Sequence, residues 1–167
     1  MQINIKTSGE NQAIVTQLTK KLTGGTKENV IARIALGYSL STGKRFTQQE
    51  FSAYDSQGKE YKDHILFDGQ YRDFYIALIC QAYGITKNDE LIPKYIKQHI
   101  DHGLEKINYL FENNPQYTFF DFLTEYFRKG IDMIEDTPER FDCVENRNQH
   151  ITKSVFSGPI KIKVGYN

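Results

Sequence analysis

The sequence predicts a mainly helical protein with a few short strands, and two features support this. Three long stretches in residues 69–135 repeat apolar side chains every three or four positions, which is the period of a helix with one buried face. Short runs at both ends of the chain instead alternate apolar and polar residues, which is the period of a strand. We expect one domain over residues 1–167, with a strand, two helices, an antiparallel helix pair, a C-terminal helix and short strands.

The first forty-five residues predict a strand followed by two helices. The run 2–6 alternates as a half-buried strand does, and Thr7-Ser8 is a helix-start signal. Gly24-Gly25 is expected to stop the first helix, and Thr26 to cap the second. This order is that of a ribbon-helix-helix unit, in which strands from two chains pair and place polar side chains in the DNA major groove.

The middle of the chain predicts a loop and then a packed helix pair. Thr47 and Glu50 form a capping-box pattern before a short helix at 48–53, and residues 55–63 are expected to be a flexible loop. Helices are predicted over 69–83, with Asp68 as N-cap, and up to residue 113 with Pro93 in the first turn. We expect these two helices to pack antiparallel and to provide most of the stability.

The last third of the chain predicts one more helix and two strands. A helix is expected over 118–135, followed by a polar stretch without a clear period. Residues 151–156 and 160–164 are predicted strands, and the second alternates as residues 2–6 do. The N-terminal strand therefore has two candidate partners, the same strand of another chain or residues 160–164. An unpaired strand edge predicts self-association.

Composition indicates a cytoplasmic globular protein without a cofactor. The chain is 39% hydrophobic and 25% charged, as expected for a globular domain, and no run of about 18 apolar residues could span a membrane. No apolar signal-peptide core is present at the N-terminus. Cys80 and Cys143 are far apart and lack a C-x-x-C pattern, so we expect reduced thiols.

Charge is distributed unevenly along the chain. Residues 1–45 contain seven basic and two acidic residues, a net charge of +5, whereas 46–114 carry −4 and 115–167 carry −1. A basic end on a neutral protein predicts a local binding site for a polyanion such as DNA. In that site the lysines would contact phosphates, and the side-chain amides of Gln2 and Asn4 would lie nearer the bases. The alternative is a solvated basic surface, or, for Arg33, an oligomer interface. The candidate DNA-binding residues are Gln2, Asn4, Lys6, Lys20, Lys21, Lys27, Arg33, Lys44 and Arg45.

Other site patterns are incomplete. The run from Gly24 to Lys27 lacks the preceding strand and the spacing of a phosphate-binding loop, so a helix-helix turn is expected. His99 and His102 lie three apart on a helix without a third ligand, which favours a hydrogen-bonded structural pair over a metal site. The carboxylates Asp68 and Asp73 show no spacing typical of a two-metal nuclease, so no catalytic residue, metal or cofactor is predicted.

Three segments carry a resemblance to a known family. Residues 29–40, Asn-Val-Ile-Ala-Arg-Ile-Ala-Leu-Gly-Tyr-Ser-Leu, resemble the second helix of DndE, a component of the bacterial DNA phosphorothioation system. The run 66–78, which contains Leu66, Gly69 and Tyr71, is similar to a leucine-glycine-tyrosine segment of that family. Residues 99–104 are similar to its closing histidine, glycine and leucine pattern. The resemblance covers about residues 1–112, so we divide the domain into a DndE-like core at 1–114 and an extension at 115–167.

The resemblance implies a function. It implies a non-catalytic DNA-binding protein that recognises nicked duplex as a homo-oligomer. Its partners would be the sulfur-transfer and ATPase components of the phosphorothioation machinery. The alternative is an assembly adaptor that bridges those components with little direct DNA contact. The longer loop at 55–63 and the extension at 115–167 depart from the family pattern.

Overall fold

The computed structural model describes residues 2–23 and 27–135, and it confirms a mainly helical fold. The chain divides into two units between Phe119 and Phe120, so the last helix, Phe119–Glu135, lies almost wholly in the second unit. The first unit contains two short strands, five α-helices and a 3-10 turn. The elements are β1 (Asn4–Lys6), α1 (Gly9–Thr23), α2 (Glu28–Ser41), the 3-10 turn (Gln48–Ser52), β2 (Glu60–Lys62), α3 (Asp63–Leu66), α4 (Arg72–Tyr83), α5 (Ile92–Asn113) and α6 (Phe119–Glu135).

The N-terminal strand pairs within its own chain. β1 and β2 run antiparallel, with Ile5 opposite Tyr61, and these two side chains are buried while their neighbours are exposed. β2 is a partner that the sequence analysis did not consider, and pairing of the second edge of β1 with another chain or with residues 160–164 stays a prediction. Alternation specifies which side of a strand is buried, but it does not select the partner. The order strand, helix, helix is nevertheless confirmed.

The segment predicted as a flexible loop is held against the start of α1. Thr7 exchanges backbone hydrogen bonds with this segment: its N–H donates to the Lys59 carbonyl at 3.0 Å, and its carbonyl accepts from Gly58 at 2.9 Å. The backbone at Gly58 passes so close to Ser8 that a Cβ there would lie 2.1 Å from the Ser8 carbonyl oxygen. The polar composition of residues 55–63 predicted a loop and gave no sign of this order, because the backbone partners of the segment lie about fifty residues away in the sequence.

The two N-terminal helices form where periodicity places them. Ser8 precedes α1, and its Oγ accepts from the Asn11 N–H at 3.3 Å, as a helix cap does. Lys27 occupies the N-cap position of α2 with an extended backbone. The predicted Gly24-Gly25 stop and Thr26 cap lie outside the described residues. The glycine stop stays a prediction, whereas the predicted cap at Thr26 is wrong, because Lys27 occupies the N-cap position.

The central packing joins α5 to α2. A Cβ added at Gly103 of α5 would lie 2.0 Å from the carbonyl oxygen of Ala35 in α2, so the two backbones are in direct contact. Glycine permits this approach because it has no side chain. We expected α4 to be the main partner of α5, but α2 makes the more extensive contact. On α5 the fully buried apolar side chains are Ile92, Ile96, Ile100, Leu104 and Ile107.

A buried carboxylate fastens the N-terminus to α5. Asp101 is fully buried and accepts hydrogen bonds from the Ser8 N–H at 2.9 Å and from the Asn11 amide at 2.8 Å. Lys97, one helical turn earlier, donates to its second oxygen at 2.9 Å. Burial raises the pKa of Asp101 above its usual value, although these three donors oppose that rise. The start of α1 is therefore positioned by α5.

The remaining elements match the prediction in part. Glu50 accepts from the Thr47 N–H at 2.7 Å, which is the predicted capping interaction, although the turn is a 3-10 helix. Pro93 lies in the first turn of α5, and α6 begins one residue after its predicted start. Asp68 does not cap α4, which begins at Arg72, because its own backbone is left-handed with φ of 52°. The predicted strands at 151–156 and 160–164 lie outside the described residues.

Replacing Gly103 with alanine should separate α2 from α5. The new methyl group would overlap the Ala35 carbonyl, and overpacking of this kind costs about 1–3 kcal/mol or more. Urea denaturation should show the loss in the free energy of unfolding. Gly130→Ala in α6 is the matched control, because nothing lies within 4 Å of a Cβ at that helical glycine. Equal stability of the Gly103→Ala protein and the parent would contradict the close contact.

Candidate nucleic-acid interface

Two adjacent lysines occupy the last turn of α1. Lys20 and Lys21 are exposed, and among the residues described neither is hydrogen-bonded to an acidic side chain. Cations at the C-terminal end of a helix interact favourably with its dipole, which stabilises the helix here. Since no acid neutralises them, both ammonium groups are available to a negatively charged partner.

A groove brings three of the lysines together. It has a volume of about 570 Å³ and lies between α1, the start of α2, β2 and α3. Lys20 enters it from α1, Lys27 from the N-cap of α2, and Lys59 from the residue before β2. Uncharged polar side chains that can hydrogen-bond also line it, namely Thr16, Thr19 and Asn29.

One glutamate within the groove offsets part of this charge. Glu28 accepts from the Lys59 ammonium at 3.0 Å and from the Thr16 hydroxyl at 2.8 Å. Burial alone would raise the pKa of Glu28, but the hydrogen bonds from Lys59 and Thr16 outweigh burial and lower it. Glu28 is therefore an anion at neutral pH and holds Lys59 in an ion pair. Glu60 is a second glutamate of the lining, so three lysines and two glutamates leave the groove a net charge of +1, with Lys20 and Lys27 outside the ion pair.

The exposed side of the ribbon carries further predicted residues. Asn4 and Lys6 point to the exposed side of β1, opposite Lys62 and Glu60 respectively in the strand register. The Asn4 amide donates to the Glu60 carboxylate at 2.9 Å, so it is already bound within the ribbon. Gln2 is exposed just before β1. The ribbon meets the groove at Glu60, which belongs to both.

Two of the predicted DNA-binding residues are bound within the fold. Arg33 is half-buried, donates to the Leu66 carbonyl at 2.7 Å and lies 5.1 Å from the centre of the Tyr71 ring. Lys44 forms an ion pair with Glu50 at 2.7 Å. These contacts give both side chains a structural role, and they separate Arg33 and Lys44 from the groove lysines.

Arg45 is also distant from the groove. Its guanidinium donates to the Ala82 carbonyl at 2.8 Å and lies over the Tyr83 ring. Arg45 follows the C-terminal end of α2, whereas Lys27 precedes its N-terminal end, and a helix of this length spans roughly 20 Å. The nine predicted residues therefore do not form one continuous surface.

Sequence reasoning overlooked two lysines. Lys59 lines the groove, and Lys62 lies on the exposed side of β2. Both were hidden in the segment assigned to a flexible loop. The signal that could have identified them is the alternation of Glu60, Tyr61 and Lys62, in which a single aromatic residue separates two charged ones.

The two histidines of α5 form a buried hydrogen-bonded pair through a serine. Ser39 Oγ lies 2.7 Å from Nδ1 of His99 and 2.8 Å from Nδ1 of His102. The Tyr83 hydroxyl reaches Nε2 of His99 at 2.8 Å. His99 and Ser39 are fully buried, so no substrate reaches them. The expectation of a structural pair is confirmed.

Metal and membrane signals are absent from the part of the chain that the structure describes. Within residues 2–23 and 27–135, no three His, Cys, Asp or Glu side chains are grouped so that they could hold a metal ion. No helix described there has both the length and the apolar composition needed to cross a membrane. Cys80 is a free, half-buried thiol in α4.

The fold and the groove together define a small, mainly helical protein with a paired N-terminal ribbon and a lysine-lined surface. The model of the family described as DNA sulphur modification protein DndE matches residues 4–114, about two thirds of the chain. The chain therefore belongs to the DndE family, as the sequence resemblance indicated.

Comparison with solved structures gives a similar chain in DndE from Escherichia coli B7A, a protein involved in DNA phosphorothioation modification. The two share 14% sequence identity with a TM-score of 0.49, over 63% of this chain and 96% of that one. No curated protein sequence matches the chain.

Acidification should destabilise the protein through the histidine pair. Burial, with a smaller contribution from neighbouring His102, lowers the pKa of His99 to about 3, and burial also lowers the pKa of His102. His99 stays neutral in the folded protein but protonates in the unfolded chain near pH 6.5, so its contribution to stability is present above that pH and is lost below it; the lowered pKa of His102 acts in the same direction. From pH 7 to 5.5 the loss should be about 1 kcal/mol for His99 alone.

Urea denaturation at the two pH values measures this loss, with His102→Gln as the comparison variant. That variant should depend less steeply on pH than the parent, because one of the two titrating groups is gone. Burial raises the pKa of Asp101 and of Glu105, and their protonation opposes the histidines at lower pH. A parent whose unfolding free energy is unchanged or rises from pH 7 to 5.5 would contradict the assignment.

Proposed function

We propose that this chain binds duplex DNA, without catalysing a reaction on it, as a component of the DNA phosphorothioation machinery. The observation that carries the proposal is the group of exposed lysines without acidic partners, Lys20, Lys21 and Lys27, at the junction of α1 and α2. Membership of the DndE family supports the assignment to this machinery.

The groove suits phosphate rather than base recognition. Lysine ammonium groups bind phosphate oxygens and release counterions, which provides affinity without sequence preference. The start of α2 adds backbone N–H groups, which bind anions at helix N-termini. Of the two amides predicted near the bases, Gln2 is exposed, whereas Asn4 would first have to leave Glu60. We therefore assign phosphate contacts to Lys6, Lys20, Lys21 and Lys27.

Nicked duplex is the proposed preferred form of DNA. The lysines lie on two different elements, the α1–α2 junction and the ribbon, so a straight duplex would meet them unequally. A nick interrupts one DNA strand, and this lowers the energy needed to bend the duplex so that it contacts both groups of lysines. Homo-oligomer formation is part of the proposal, since pairing with β2 occupies only one of the two edges of β1.

Reversing the charge of Lys20 and Lys21 together should weaken DNA binding. If both contact phosphates, the double variant Lys20→Glu with Lys21→Glu loses two counterion-releasing contacts. The slope of log affinity against log salt should then fall by about 1.8, and affinity should drop at least about tenfold for every sequence tested. Arg128→Glu with Lys129→Glu is the matched control, since it reverses an adjacent exposed basic pair on α6.

Gel shifts at two salt concentrations, on nicked and intact duplex of the same sequence, measure these quantities. If the Lys20 and Lys21 variant binds DNA as tightly as the parent does, these two lysines are not part of the DNA-binding site. If the parent shows no binding even at low salt, the adaptor function becomes the better account. Magnesium-dependent plasmid cleavage by the pure protein, abolished by a chelator, would contradict the non-catalytic assignment.

An adaptor function is the second candidate, and one observation favours it. Large apolar side chains are exposed where α3 leads into α4, in a segment with three aspartates and one arginine. Under this function the sulfur-transfer and ATPase components are the partners. The two functions are compatible, because Tyr71 and Phe74 lie outside the lysine groove, although Ile65 borders both.

A further inference from the structure

Three large apolar side chains are exposed between α3 and the first turn of α4. Ile65 is 47% exposed, Tyr71 is 42% exposed and Phe74 is 59% exposed. Single exposed apolar residues are ordinary, but several close together indicate an interaction site. Tyr71 and Phe74 are three residues apart at the start of one helix and so share a face. We call Ile65, Tyr71 and Phe74 the apolar patch.

The apolar patch is held in place by α2. The Asn29 amide donates to the Ile65 carbonyl at 2.7 Å, and Arg33 donates to the Leu66 carbonyl at 2.7 Å. The Arg33 guanidinium also lies over the Tyr71 ring. Asn29 and Arg33 are one turn apart on α2, so a single helix face supports both ends of the patch. A surface fixed before binding loses less conformational entropy when a partner arrives.

The turn inside the patch has an uncommon backbone. Asp68 and Gly69 are both left-handed, with φ of 52° and 70°. Aspartate tolerates this conformation better than most residues, but it still costs free energy. Backbone hydrogen bonds close the turn around these residues, from the Gln70 N–H to the Asp68 carbonyl at 2.8 Å and from the Tyr71 N–H to the Phe67 carbonyl at 3.0 Å. The turn exposes Asp68 beside the apolar residues.

Ile65 also lines the lysine groove, and charge distinguishes the rest of the patch from that groove. Residues 63–74 contain three aspartates and one arginine, a net charge of −2. Arg72 pairs with Asp63 at 2.9 Å and also with Asp73 at 3.4 Å, and the Asp73 side chain is 97% exposed. Even with the Arg33 guanidinium over the Tyr71 ring, the aspartates of this segment disfavour phosphate contacts at Tyr71 and Phe74. Apolar anchors with acidic neighbours instead complement a protein segment of opposite charge.

We propose that the apolar patch is a docking surface for a protein segment with an apolar side chain flanked by lysine or arginine. The apolar side chain would pack against Tyr71 and Phe74, and its basic neighbours would pair with Asp68 and Asp73. This proposal depends on the proposed function only in the choice of proteins to test, which are the purified sulfur-transfer and ATPase proteins of the machinery. It gives the leucine-glycine-tyrosine segment a role that DNA binding leaves unexplained.

Binding of each purified protein to the full chain, measured by calorimetry without DNA, tests the proposal. Phe74→Ser should weaken the affinity for at least one of them about tenfold or more, because aromatic anchors dominate interface energetics. Phe120→Ser is the matched control, since Phe120 is 77% exposed but lies on α6. Thermal unfolding of both variants should match the parent, because neither side chain is buried.

A charge variant tests the other half of the proposal. Asp73→Lys should weaken the same interaction, and more strongly at low salt than at high salt. Asp132→Lys, at an exposed aspartate of α6, should leave it unchanged. Loss of affinity in Asp73→Lys with no change in Asp132→Lys would support the acidic rim as part of the surface.

Several results would overturn the inference. These are failure of both purified proteins to bind the parent, or parent-like affinity of Phe74→Ser for both. A change in sedimentation of Phe74→Ser alone would show contact between copies of this chain, and loss of DNA binding would show a nucleic-acid surface. The gel shifts with Lys20 and Lys21 variants are independent of these measurements, so the DNA-binding function can stand or fall separately.

Discussion

Direct backbone contact between α5 and α2 is the constraint on which the first unit depends. Gly103 lets α5 lie against Ala35, and this places other α5 residues within reach of distant segments. His99 and His102 meet Ser39 of α2, while Asp101 binds Ser8 and Asn11 at the start of α1. A side chain at position 103 would push all of these pairs apart together.

The candidate DNA surface follows from that arrangement. Because α5 holds both the start of α1 and the middle of α2, the end of α1 and the beginning of α2 are placed next to the ribbon. Lys20, Lys27 and Lys59 then line one groove, although they belong to three different elements. The lysines need no burial of their own, since buried neighbours on the same helices determine where they lie.

The opposite charges of the two surfaces suggest a division of roles within one small unit. The lysine groove lies at the N-terminal end of α2, and the apolar patch is supported by Asn29 and Arg33 on the same helix. Arg33 illustrates the distinction: it was predicted to contact phosphate, yet its guanidinium positions Tyr71 and Leu66. Net charge of a segment indicates a possible partner, but it does not assign each cation.

Sequence alone determined the helices, the first strand and the family, because these depend on local periodicity and on short ordered motifs. It also indicated the capping by Ser8 and Glu50 and the structural role of His99 and His102. Tertiary structure decided the partner of β1, the pairing of α5 with α2, and which basic residues are free. Each of these depends on residues dozens of positions apart: Tyr61 opposite Ile5, Gly103 against Ala35, and the Leu66 carbonyl that binds Arg33.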